Sequence, residues 1–142
     1  MAKKEKAAPA KYTDKSAGQP HLVSIFRTLR ELLLKYAKRN YRAKADAPGQ
    51  YELYYDKDVY VYDRDFPELP FCSLLIQKGY VGLYFTPVYV IPGLKAKMSA
   101  RLLASLKGKT CFHIRSLDDE LLKEIREIVD LGYKEYVSQG WK

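Results

Sequence analysis

Cysteine is scarce: Cys72 and Cys111 are the only two in 142 residues, and they lie far apart. A disulfide framework and a CxxC metal knuckle are thereby excluded, and the thiols are expected to stay reduced. No apolar run reaches the roughly 18 to 20 residues that cross a bilayer. The opening MAKKEKAAPAK lacks the apolar middle of a secretory signal, so a cytoplasmic protein is expected. Neither GxGxxG nor GxxxxGK[ST] occurs, which argues against dinucleotide and P-loop nucleotide use, and no cofactor is expected. Acid is also in deficit, with 17 Asp and Glu against 25 Lys and Arg and a formal charge of +8. The balance favours anionic partners without choosing among a small anion, an acidic protein and nucleic acid.

What remains is 47% hydrophobic and holds thirteen tyrosines, enough for one domain with a core. Residues 1–18 are rich in Lys and Ala with little apolar area to bury, and are expected to form a disordered basic tail ahead of a single domain over residues 19–142. From His21 to about Asn40, Leu22, Ile25, Phe26, Leu29, Leu32, Leu33 and Tyr36 keep the spacing of a one-sided helix. Its polar side carries Arg27, Arg30, Lys35, Lys38 and Arg39, a stripe best read as solvated. Pro48 and Gly49 mark a turn.

The period then changes. QYELYY, VYVY, PFCSLLIQ and YVGLYF read as strands, the last two closing a hairpin through Lys78-Gly79. Pro67 and Pro70 mark Asp65 to Pro70 as a loop. Leu94 to Leu106 reads as a second helix, Thr110 to Arg115 as a further strand, and Leu121 to Tyr136 as a last helix capped from Ser116. Grouped strands flanked by helices predict an α+β domain, a mostly antiparallel twisted sheet with about three helices on one face.

Three chemistries are open to these residues. Cys111 and His113, two apart on a strand, share a face; with Cys72 they would make a three-ligand metal set, although the spacing of structural zinc sites is missing. Cys111 beside His113 has the residue types of a nucleophile and base, but no nucleophile elbow accompanies them, so no catalysis is expected. Lys107, Lys109 and Arg115, with Tyr80 and Tyr84, are candidates for an anion held beside aromatic rings; the same composition would serve nucleic acid, for which no RNP pattern is present. A tyrosine-rich sheet edge would also permit homodimerisation.

KGYVGLYFTPVY (78–89) and LKGKTCFHIRSLDDELLKEIREIVDLGYKEY (106–136) resemble the YdhG-like bacterial family of small domains of unknown function, over about residues 21–141. The resemblance implies a compact α+β fold on a twisted antiparallel sheet and supplies no catalytic residues. Some relatives are linked by fold to frataxin-like iron chaperones, which makes metal handling the alternative to a non-catalytic binding or accessory module for an anionic ligand. The acidic ridge such iron sites need is represented on the first helix by Glu31 alone.

Overall fold

Apolar spacing and turn chemistry lay down most of the elements where they are expected. The computed structural model describes residues 13–142; the expected tail lies, through residue 12, outside the described residues. Helix α1 (Pro20–Leu34) starts on a proline, whose missing N–H is no loss at that position, and buries Leu22, Ile25, Phe26, Leu29 and Leu33. It stops short of Asn40 because Tyr36 turns inward, where its ring meets Phe71, and Arg39 takes a left-handed φ of 56°. The cationic stripe is largely used within the molecule: Arg30 pairs with Asp46 at 2.7 Å, while Lys35 and Lys38 lie over the rings of Tyr36 and Tyr133.

A strand the sequence hides comes next. Strand β1 (Tyr41–Ala47) pairs with β2 (Gln50–Tyr55) across the Pro48-Gly49 turn. YRAKADA is an edge strand in which only Tyr41 is buried, and its alanines carry little β preference. VYVY does form a strand, β3 (Val59–Val61), but it pairs only with β4 (Arg64–Phe66) in a separate two-stranded sheet. Asp65 to Pro70 is therefore not a loop: β4 ends inside it and β5 (Leu69–Gln77) begins there. Pro70 is tolerated because it sits at a bulge opposite Tyr54, before the pairing with β6 begins at Cys72.

Strands β5 and β6 (Tyr80–Phe85) make the expected hairpin, with Gly79 at φ +89° in the turn. A one-turn helix, α2 (Pro87–Val90), follows β6, and two short elements replace the continuous helix expected over Leu94 to Leu106: a 3₁₀ turn at Lys95–Lys97 and α3 (Ala100–Ala104). Leu94, Met98 and Leu102 are all buried, so the helix-like spacing is real. The chain buries them while travelling from the end of β6 to the outside of β7 (Cys111–Ile114), and Met98 is extended. Helix α4 (Asp119–Ser138) is capped by Asp118, whose side chain accepts from Leu121 N, rather than by Ser116.

The main sheet runs β1-β2-β5-β6-β7, antiparallel throughout, and the fold is α+β. Its helix-side core centres on Phe71, whose ring meets those of Tyr136 at 5.6 Å, Tyr41 at 5.7 Å and Tyr36 at 5.8 Å. Three of the buried hydroxyls find partners, Tyr36 donating to Asp130, Tyr41 to the Trp141 carbonyl and Tyr136 to the Pro70 carbonyl, whereas that of Tyr51 has none among the described residues.

Helix α4 can approach this core because Gly132 has no side chain. A Cβ there would sit 2.5 Å from Phe85 Cζ and 3.0 Å from Pro87 Cβ. Gly132→Ala gains roughly 1 kcal/mol of helix propensity, against about 1–3 kcal/mol for forcing an atom into a packed core. Phe85 is itself braced by Phe71, so the clash should win. Thermal unfolding should show a lower Tm for Gly132→Ala; an unchanged or higher Tm would contradict this packing.

Candidate functional site

Strand alternation divides the sheet into two unlike faces. Leu53, Cys72, Leu74, Ile76, Val81, Leu83, Phe85, Phe112 and Ile114 are buried on the helix side. The other face presents Gln50, Glu52 and Tyr54 from β2, Ser73, Leu75 and Gln77 from β5, Tyr80, Gly82 and Tyr84 from β6, and Cys111 and His113 from β7. Register aligns these into rows, Glu52–Ser73–Tyr84–Cys111 and Gln50–Leu75–Gly82–His113.

Four of the expected site residues thus share one face: Tyr80, Tyr84, Cys111 and His113. His113 stacks on Tyr80 with ring centroids 3.8 Å apart and planes 13° from parallel. The Arg115 guanidinium also lies over the Tyr80 ring, at 5.6 Å, and its Nη1 donates weakly to the Gly79 carbonyl at 3.4 Å. Lys107 is fixed beside this group by the backbone, because its N–H donates to the Cys111 carbonyl at 2.7 Å and His113 N–H donates to the Ser105 carbonyl. Those two bonds also occupy the outer edge of β7, leaving β1 as the edge available for strand pairing with another chain. Neither Lys107 nor Arg115 is ion-paired with a carboxylate among the described residues, in contrast to Arg30, Arg42 and Arg101.

The remaining candidates lie elsewhere. Lys109 sits over the ring of Tyr89 at 5.0 Å, in a tyrosine cluster with Tyr62, away from His113. Cys72 is wholly buried beneath the helices, on the opposite side of the sheet from Cys111 and His113. The proposed three-ligand set is not brought together, because Cys72 and Cys111 fall on opposite parities across the β5–β6–β7 register. Among the described residues no group of three or more His, Cys, Asp and Glu side chains is placed to hold a metal.

Reasoning from sequence missed the middle of this face. A groove of about 400 Å³ lies beside Tyr84, lined by Gln50, Glu52, Tyr54, Pro70, Ser73, Leu75, Thr86 and Thr110. Its signal was present in QYELYY, where Gln50, Glu52 and Tyr54 fall on one parity. Gln50 is buried, and its Nε2 donates to Glu52 Oε1 at 2.8 Å. Tyr84 folds flat along its own strand, so a Cβ on Gly82 would lie 2.9 Å from the ring.

Comparison with known protein families, curated proteins and solved structures finds no match to this chain.

Electrostatics give the face its character. Partial burial pushes the His113 imidazole below its ordinary value of 6.5, and the charges of Arg115 and Lys107 push it the same way. Around neutral pH the ring is uncharged and stacks on Tyr80 as a neutral plate. The unfolded chain would take up a proton near 6.5 that the folded chain resists, so stability at this site is present above that pH and is lost as pH falls through it. In a proton NMR titration His113 should have its midpoint below 6.5, and Arg115→Ala should raise it. A midpoint above 6.5 would show that the cations do not face the ring.

Burial also raises the Cys111 thiol, which lies beside Tyr84, and burial alone raises that of Cys72. A thiol held protonated is a poor nucleophile. With iodoacetamide at neutral pH, Cys111 should react more slowly than a free thiol and Cys72 only on unfolding; rapid alkylation of Cys111 would restore the nucleophile reading.

Proposed function

We propose that this chain is a non-catalytic binding module whose bare sheet face takes an anionic ligand at its β7 end. The observation that carries the reading is the pair Lys107 and Arg115, two cations with no carboxylate partner among the described residues, held around a neutral His113–Tyr80 stack. Lys44, by contrast, is paired with the buried Glu68 at 2.6 Å; what sets Lys107 and Arg115 apart is that both flank the same imidazole. Two cations left facing one flat, half-buried surface are an arrangement that an anion completes.

A YdhG-like bacterial accessory domain in a reducing cytoplasm remains the family and setting proposed from the 78–89 and 106–136 segments. The two free cysteines and the antiparallel sheet are compatible with it. Metal handling is disfavoured by the separation of Cys72 from Cys111 and His113 across the sheet.

Calorimetric titration with inorganic pyrophosphate tests the reading. Binding should weaken steeply between about 50 mM and 300 mM salt, since exposed charges are screened over about a Debye length. It should also weaken by roughly tenfold or more in a Lys107→Ala, Arg115→Ala double variant, on the order of 1.4 kcal/mol or above. Absent or salt-insensitive binding would overturn it.

A further inference from the structure

The β7 end of the helix-free face is cationic, but its β2 end holds a carboxylate. In QYELYY the parity that buries Tyr51, Leu53 and Tyr55 on the core side puts Glu52 on the other. Glu52 is half-buried, and the buried amide of Gln50 holds it in place by donating to Oε1 at 2.8 Å. No cation pairs with it among the described residues. Its direct cross-strand neighbour on β5 is Ser73, with the two Cβ atoms about 5 Å apart. Both line the groove of about 400 Å³. The next row towards the β5 bulge is Tyr54 beside Pro70, two rings of apolar surface. Tyr84, on the far side of Ser73, lies back over Gly82 and so away from that row.

The molecule already holds one ammonium in a comparable setting. Lys44 Nζ lies 2.6 Å from the Glu68 carboxylate and 4.6 Å from the centre of the Tyr54 ring. Burial raises the Tyr54 phenol, and the charges of Glu52 and Glu68 push it the same way, so the field at this end favours a cation in a chain that is basic overall.

We propose that the groove is a second site, for a primary organic ammonium ion with a short apolar body, its nitrogen between Glu52 and Ser73 and its body against Tyr54 and Pro70. Charge selects a cation, because a half-buried carboxylate supported only by a neutral amide is completed by a positive donor. Hydrogen bonding selects a primary amine. An ammonium carries three N–H donors and no acceptor, and the groove offers acceptors in Glu52 Oε2 and the hydroxyls of Ser73, Thr86 and Thr110. A quaternary ammonium has no N–H to give. The site shares no residue with Lys107, His113 and Arg115, so it stands apart from the anion reading.

Calorimetric titration of the full chain with phenethylammonium, phenethyltrimethylammonium and 2-phenylethanol separates charge, N–H donors and body. Phenethylammonium should bind on the order of tenfold more tightly than the alcohol, because only it gives Glu52 a charge-assisted hydrogen bond. It should also bind on the order of tenfold more tightly than the trimethylated cation, which has the charge without the donors. Glu52→Gln, whose amide oxygen still accepts from Gln50, should bring the amine to alcohol ratio towards one and leave pyrophosphate binding in place. Amide shifts on adding the amine should centre on Glu52, Tyr54 and Ser73. The three-ligand comparison is made on the unaltered protein, so it stands whether or not the variant folds. Equal affinity for amine and alcohol, or no saturable binding of the amine, would overturn the cation site whatever pyrophosphate does. Equally tight binding of the trimethylated cation would overturn the primary amine. A ratio unchanged in folded Glu52→Gln, or shifts centred away from β2 and β5, would overturn the placement at Glu52.

Discussion

The packing of aromatic rings around Phe71 is the constraint on which the rest of this molecule depends. Phe71 occupies the bulge at the start of the central strand β5, and five rings surround it: Tyr36, Tyr41, Phe85, Tyr133 and Tyr136. These come from the end of α1, the start of β1, β6 and α4, so one side chain joins both long helices to the edge and the centre of the sheet. Truncating a buried Phe costs about 3–5 kcal/mol against a total stability of about 5–15 kcal/mol for an ordinary domain. Exposed ion pairs such as Arg101–Asp118 are screened by water and contribute far less. The ring cluster, with its tyrosine hydroxyls tied to Asp130, Trp141 and Pro70, therefore decides which side of the sheet is the core.

Once that side is settled, strand parity settles the other. Residues that alternate with the core set are left on a face reached by neither long helix, and it is there that Tyr80, Tyr84, Cys111 and His113 emerge together. The loop from Ser105 to Thr110 bonds along the outside of β7 and delivers Lys107 to the same place. A core requirement on one side of the sheet thus produces a polar, aromatic and cationic surface on the other.

How much of this was legible depends on the kind of signal each segment carries. Helices α1 and α4 and the β5–β6 hairpin were legible because spacing and a single glycine turn encode them locally. Strand β1 was not, since an edge strand of Ala, Lys and Asp has neither alternating burial nor β-branched content. The stretch from Leu94 to Leu106 misled because apolar residues at helical spacing can also be buried by a chain that turns repeatedly. Pro70 misled because a bulge and a late start to pairing with β6 remove the ladder bond that proline would break. At the site, the common face of Cys111 and His113 followed from parity along one strand. The separation of Cys72 required the register between three strands, which no local pattern gives, and so did the alignment of Glu52 and Gln50 with β7.

Recognition is placed on the helix-free face and not on the cationic side of α1, whose charges are read as solvated. Amide chemical-shift mapping during titration with pyrophosphate decides between them. Shifts should be concentrated at Lys107, Cys111, His113, Arg115 and their β6 neighbours Tyr80 and Gly82. Shifts concentrated at Arg27, Lys35 and Lys38 on the helix, with β7 silent, would contradict it.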